Sequence, residues 1–214
     1  MKIINNSDPL NQIVDLIKNL KHERKTVPVI IAIDGRGGSG KSTLAEKLAS
    51  LLPKSYALRL DEFYLPQKAI KDHTLLNYDI ERVINEFLNP VLARKKITYG
   101  QYNWGFFSNE EDQIIPITLD DIPEILIIEG CSASQKALKQ YLDLTIFVDI
   151  DTKLSYERAK SRDEFNLESS IIEEIWKNWK KAEDDYIHLE NPLERADIII
   201  STANQEYEII KINL

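Results

Sequence analysis

Cysteine is almost absent: the 214-residue chain carries one, Cys131. A lone thiol excludes an intramolecular disulfide framework and fits a reducing, cytoplasmic compartment. No apolar run reaches the roughly 18 residues of a bilayer-spanning helix, so no membrane partner is expected. The start, MKIINNSDPL, lacks the apolar stretch of a secretory signal, and the formal glycosylation triplet Asn5-Asn6-Ser7 therefore carries little weight. Positive charge is in deficit, with 27 Lys+Arg against 35 Asp+Glu and a net charge of −8. That balance argues against nucleic acid or an anionic membrane as the main partner, while a local basic cluster still suits a small anion. Internal repeats, low-complexity tracts and Pro/Gly/Ser-rich linkers are missing too. A chain of 214 residues, 43% hydrophobic, is then read as a single domain over 1–214.

Glycine is also scarce, with seven in the chain, yet Gly35, Gly37, Gly38 and Gly40 fall within six positions of IIAIDGRGGSGKSTLAEKLAS (30–50). Glycine in a folded chain is entropically costly unless the backbone must adopt what other residues cannot. The segment before it, VPVIIAID, is β-branched and does not alternate, which suits a strand covered on both faces of a parallel sheet. A helix is predicted from about Ser42 to Leu52, stopped by Pro53. YALRLDEF (56–63) reads as a second strand, EILIIEG (124–130) as a third, LTIFVDID (144–151) as a fourth and RADIII (195–200) as a fifth. The tail, YEIIKIN, alternates and suits an antiparallel edge strand. Helices are predicted over residues 8–21, where Asp8 caps and Pro9 suits the first turn, and over 78–88, 134–141, 152–162 and 167–189. Strands alternating with helices imply an α/β fold with a doubly wound, mostly parallel five-stranded sheet and helices on both faces. The stretch 95–119 is aromatic and turn-rich and is read as an inserted β-hairpin.

Residues Gly35 to Ser42 fit G-x-x-x-x-G-K-[ST] without a mismatch, between a predicted strand and a predicted helix. Backbone N–H groups of Gly35, Arg36, Gly37, Gly38, Ser39, Gly40, Lys41, Ser42 and Thr43 are the expected ATP-binding set. The helix start adds unsatisfied N–H groups and a positive dipole end. Lys41 is expected to reach the β- and γ-phosphates, and the Ser42 hydroxyl to ligate Mg²⁺. The loop alone does not separate ATP from GTP, nor a kinase from a switch or a motor. Asp61, Glu129, Asp149 and Asp151 stand at predicted strand ends, where ligands of open α/β sheets gather. One such carboxylate can hold Mg²⁺, and another can take a proton from an attacking hydroxyl. Asp151, just before Thr152, is equally suited to cap a helix.

With GRGGSGKS and LDEFY together, the sequence resembles the uridine kinase family of P-loop small-molecule kinases. Further matches follow in order: NYDIERV (77–83), GQYNW (100–104), LIIEG (126–130), IFVDIDTKLSYERAKSRD (146–163) and NPLERADIII (191–200). The resemblance implies a P-loop NTPase fold, ATP and Mg²⁺ as cofactors, and a small-molecule acceptor. It implies Asp61 as the general base and a ligand near Mg²⁺, with Tyr64 lining the acceptor pocket. Asp79, with Tyr78 beside it, would bond ribose hydroxyls, and Tyr102 and Trp104 would contact the base. Glu129 would join Ser42 around the metal. Arg158 and Arg162 would be lid arginines facing the phosphates, and their i, i+4 spacing puts both on one helical face. A solvated pair bridging Glu157 or Asp163 is the alternative for them. Family members often assemble, so a homo-oligomer is compatible with the resemblance.

The departures fall on the acceptor and lid side. Phe106 and Phe107 stand where the family's hairpin carries a histidine, with His73 and His188 elsewhere. The lid stretch EFNLESS has no arginine, and Pro-x-Tyr-Asp becomes Gly100-Gln101-Tyr102-Asn103. Phosphoryl transfer from ATP to the 5′-hydroxyl of uridine or cytidine is the expectation. A nicotinamide riboside- or pantothenate-like acceptor, or a P-loop ATPase or switch, are the alternatives. Trp176 and Trp179, in a helical stripe with Ile172, Ile175 and Tyr186, are read as core packing, and NEEDQ (109–113) as a solvated hairpin tip.

Overall fold

A computed structural model describes residues 8–66, 69–72, 76–104, 114–163, 169–204 and 206–213. The expectations for Phe106, Phe107, His73, the 109–113 tip, the 164–168 lid stretch and the side chains of Ile172 and Ile175 lie outside the described residues. In chain order the elements are α1 (Pro9–Arg24), β1 (Val29–Gly35), α2 (Lys41–Leu51), β2 (Ser55–Arg59), α3 (Ile80–Arg82), α4 (Asn89–Leu92), β3 (Thr98–Tyr102) and β4 (Ile114–Thr118). β5 (Ile125–Glu129), β6 (Leu144–Asp149), α5 (Thr152–Asp163), α6 (Ser169–Glu190), α7 (Pro192–Arg195), β7 (Ile198–Ser201) and β8 (Glu208–Ile212) follow. Among the described helices, none is long and apolar enough to cross a membrane.

The main sheet runs β2-β5-β1-β6-β7-β8, parallel except for β8, which pairs antiparallel with β7. The five predicted strands are present, and the alternating tail adds the sixth. Every residue of β1 is buried because both faces are covered. Val29, Ile31 and Ile33 join a core with Ile13 and Ile17 of α1 and Leu44 and Leu48 of α2. Ile30 and Ala32 point the other way, into a second core with Phe63, Val83, Phe87 and Tyr99. This two-sided burial is why the run does not alternate. The β3–β4 ladder forms the inserted hairpin, with Tyr102 opposite Ile114.

The chain moves from β1 to one side for β2 and β5 and to the other for β6. Ligands of open α/β sheets bind at such a switch, beyond the carboxyl ends of the strands. Register aligns those ends: Ile33 and Arg59 both lie opposite Glu129, and Gly35 lies opposite Val148.

Three local predictions are corrected. β2 stops at Arg59, and Leu60–Phe63 forms a 3₁₀ turn, so Asp61 sits in a turn rather than on a strand. Residues 134–141 are turns with only a short 3₁₀ helix at Lys139–Tyr141. Ser132 has φ 70, and the N–H groups of Ser132 and Ser134 go to Asp34, which turns the chain away from a regular helix. Between α3 and α4 the helix widens into a π turn over Val83–Leu88, where the Asn89 N–H reaches Ile84 O. Pro90 has no N–H to give, which favours such a shift of the bonding pattern.

Candidate active site

The glycine-rich loop leaves β1 through space that only glycine permits. A Cβ on Gly35 would lie 2.6 Å from Val148 O. Gly38, at φ 77, lies against Ser155 O and Ala159 of α5, where a Cβ would collide. Ser155 Oγ donates to Gly37 O at 2.5 Å, and Thr202 Oγ1 to Ser39 O at 2.6 Å, so α5 and the end of β7 clamp the loop. Ser39 itself is fully buried, its hydroxyl without a hydrogen-bond partner among the described residues. α2 begins at Lys41 with Gly40 as its N-cap and no side-chain cap, leaving the first turn suited to an anion. Lys41 is 9% exposed and its ammonium donates to Arg36 O at 3.1 Å. Ser42 is half-buried in the same turn and Thr43 is exposed.

The Arg36 side chain turns away from the loop, while its backbone N–H remains part of the expected set. Its guanidinium lies 2.6 Å from Asp184 and 3.8 Å from Glu183, both on α6. It is committed to that helix.

Glu129 ends β5 beside the loop and is 4% exposed. Burial pushes its carboxyl above the usual range. The Asp61 charge adds to this, while Lys41, the Ser42 hydroxyl and Arg59 oppose it. Glu129, Ser42 and Lys41 are thus brought together, as the sequence anticipates.

Asp61 lies at the exposed rim, its Oδ1 accepting from Tyr78 OH at 2.9 Å. Residues 63–65 run beside 77–79: Asp79 N–H donates to Phe63 O at 2.8 Å and Leu65 N–H to Asn77 O at 2.8 Å. That pairing seats Tyr64 edge-on to Tyr78 at 5.9 Å between ring centroids. The hairpin supplies Tyr102, 5.6 Å from Tyr64, and Trp104, 4.9 Å from both tyrosines. Trp104 Nε1 donates to Asp61 O at 3.2 Å, tying the hairpin to the turn that carries the acid. Burial pushes the Tyr78 hydroxyl well up, and the Asp61 charge reinforces this, so it stays a donor. The four predicted aromatics therefore form one cluster, which meets Asp61 through Tyr78 and Trp104.

Asp79, Asp151 and Arg158 each have partners within the chain. Asp79 caps α3, its Oδ1 accepting from Arg82 N–H at 3.1 Å, which engages one of the oxygens assigned to ribose. Asp151 caps α5 through the N–H groups of Lys153 and Leu154. Arg158 donates to Thr202 O at 3.2 Å and Ala203 O at 3.0 Å, holding the loop after β7. Arg162 is exposed near the C-terminal end of α5. The i, i+4 spacing places the pair on one face, but carbonyls beyond β7 meet Arg158 first. Cys131 is buried, and burial pushes its thiol well up, which disfavours the thiolate.

Three contributors are not read from the sequence as site residues. Trp179 packs at 6.2 Å on Trp104 and 5.2 Å on Trp176, adding an α6 wall to the aromatic box. Glu183 Oε1 accepts from the Gly37 N–H at 2.8 Å. Asp34, 1% exposed, gathers N–H and O–H donors at the loop's root. Its signal was an acid inside an otherwise apolar strand.

The family described as Phosphoribulokinase / Uridine kinase matches residues 30–207. A uridine kinase from Bacillus cereus (strain AH187) is 28% identical over 207 residues, covering 86% of this chain and 91% of that one. The fold is similar to a D-glycerate 3-kinase from Cryptococcus neoformans var. grubii, with a TM-score of 0.69 at 13% identity over 97% of this chain and 99% of that one. It is also similar to a phosphoribulokinase from Rhodobacter spheroides, at a TM-score of 0.55 and 14% identity over 83% and 70%. With a phosphate loop, a buried acid beside it and a further acid at an aromatic box, the chain belongs to the phosphoribulokinase/uridine kinase family of P-loop kinases.

Proposed function

We propose that the protein transfers the γ-phosphoryl group of ATP to the 5′-hydroxyl of a nucleoside, with a pyrimidine nucleoside as the best-supported acceptor. The observation that carries this reading is Asp61, bonded to Tyr78 and beside a mutually packed cluster of Tyr64, Tyr78, Tyr102 and Trp104, with its charge reaching Glu129 at the phosphate loop. Flat ring faces suit a nucleobase, because stacking on aromatic side chains favours any planar base. Arg82 lies over the Phe63 ring and is bonded to Glu86 and the Gly100 carbonyl.

In this reading the loop and the first turn of α2 hold the triphosphate, and Lys41 turns from Arg36 O towards it. Asp61 accepts the proton of the attacking hydroxyl, with Tyr78 OH orienting the carboxylate. Among the described residues, no group of three or more His, Cys, Asp or Glu could hold a metal ion. Ser42 and Glu129 nevertheless fit Mg²⁺ shared with phosphate oxygens, the usual manner for this ion. An ion held by these two residues would supply positive charge beside the phosphoryl group.

An ATP-consumption screen across nucleosides, vitamins and sugars tests the reading. Uridine or cytidine should drive ATP loss and yield the 5′-monophosphate. Turnover with nicotinamide riboside or pantothenate alone would reassign the acceptor, and ATP loss without any acceptor would favour an ATPase or switch. Trp179→Ala is expected to raise the acceptor KM about tenfold, within the range for a lost stacking surface, with the ATP KM unchanged. An unaltered acceptor KM would remove α6 from the pocket.

A further inference from the structure

Two side chains one turn apart on α6 reach the phosphate loop at two different points. Glu183 holds its shoulder: Oε1 accepts from the Gly37 N–H at 2.8 Å, and Oε2 lies 3.8 Å from Arg36 Nη1. Tyr186 holds its root, donating to Asp34 Oδ2 at 2.5 Å. The Asp34 carboxylate also accepts from Gly35 N–H at 2.7 Å, Ser132 N–H at 2.9 Å, Ser134 N–H at 3.0 Å and Ser134 Oγ at 2.6 Å. The first turn of the loop, the chain beyond β5 and α6 therefore meet on one buried acid. The i, i+3 spacing of Glu183 and Tyr186 makes a single helical face responsible for both contacts. Gly37 is pressed closely on this face: a Cβ there would lie 3.1 Å from Glu183 Oε1 and 3.7 Å from the Trp176 ring.

We infer that Glu183 and Tyr186 are positioning residues of the phosphate loop, through which α6 sets the geometry that the triphosphate meets. The inference rests on the kinase reading above. A loop with four glycines has much backbone freedom to lose, and each ligand-binding event would bear that cost unless the fold had already removed it. Fixing Gly37 at the shoulder and Asp34-Gly35 at the root brackets Arg36 and preorganises the first half of the loop. Glu183 is itself uncomfortable there. Burial pushes its carboxyl up, against the Gly37 N–H, Lys41 and Arg36, which favour its charged form. A buried carboxylate is costly, and its gain here is a charge-assisted bond to a loop amide. The rival role has the opposite sign: a carboxylate standing in for a phosphate, which nucleotide must displace.

The test uses the full chain and a non-hydrolysable ATP analogue, with affinity read by calorimetry and kcat and KM by turnover. Glu183→Ala should weaken the analogue and raise the ATP KM about tenfold, as expected for loss of a bond to a charged group. The acceptor KM should not move. Glu183→Gln keeps an oxygen for the Gly37 N–H and should recover to within about threefold of wild type, since a neutral acceptor retains part of the bond. Tyr186→Phe removes one oxygen while keeping the ring, and should weaken the analogue about threefold or more. It also serves if Glu183→Ala does not fold. Unchanged or tighter binding in both Glu183 variants would overturn the inference in favour of the displaced placeholder. Equal weakening in Glu183→Ala and Glu183→Gln would overturn it too, because charge rather than the amide bond would then be responsible. A wild-type chain that binds no analogue would overturn the kinase reading and the inference with it, at a step that no variant enters.

Discussion

Replacing Asp61 by asparagine is expected to lower kcat by about 10²- to 10⁴-fold, the range for loss of a positioned general base, while affinity for an ATP analogue stays within about threefold. The substitution is nearly isosteric. Asparagine keeps an oxygen for Tyr78 OH, so the turn over Leu60–Phe63 and the Trp104 contact to the Asp61 carbonyl have no reason to move. What disappears is the capacity to accept a proton and a negative charge at the rim of the aromatic box. Binding and chemistry therefore separate cleanly. The acceptor KM should change little, since the proposed base-contacting rings are untouched. Steady-state kinetics with calorimetry on the same variant decides the matter. Turnover within about tenfold of wild type would mean that the proton leaves by another route and that Asp61 is no base.

The contrast between local and long-range information explains what was legible in the sequence. The phosphate loop is encoded within eight consecutive residues, and its flanks announce themselves by a β-branched run and a helical stripe. β1, β5, β6 and β7 are legible because two covered faces demand apolar residues without alternation. β2 was read too long because Leu60 and Phe63 are both fully buried, and a 3₁₀ turn can bury such a pair as well as a strand. The helix expected over residues 134–141 fails for a reason 100 residues away, where Asp34 claims the N–H groups that would start it. A helical stripe also does not name its neighbour. Trp176 is buried, as core packing requires, but Trp179 four-fifths of a turn on meets Trp104 of the hairpin. Glu183 and Tyr186 lie on the same helix, 146 and 152 residues from the loop atoms they bond. No spacing rule spans that distance, so this half of the site becomes visible only in the fold.

Lys41→Ala is expected to reduce transfer by about 10³-fold or more, the scale of losing a charged group that stabilises the transition state, and to weaken ATP as well. The argument begins from what surrounds the ammonium. It is almost fully buried, and its charge acts on both Glu129 and Glu183, two carboxyls that burial already pushes up. Removing it leaves two buried acids beside the triphosphate without their common counter-charge, so repulsion is added where attraction is lost. The variant should therefore differ from Asp61→Asn in kind: both the ATP KM and kcat worsen, and affinity for the analogue falls with them. Lys41→Arg is not expected to restore activity. A planar guanidinium is broader than an ammonium, and the site by Arg36 O accepts a compact donor at 3.1 Å. Thermal unfolding without nucleotide separates this from a folding defect, because a chain that still unfolds cooperatively has lost the ammonium and not the fold. Unimpaired turnover in a folded Lys41→Ala chain would sink the assignment of the loop as the triphosphate site. Lost turnover with undiminished analogue affinity would confine Lys41 to the transferring phosphoryl group and leave binding to the backbone N–H groups alone.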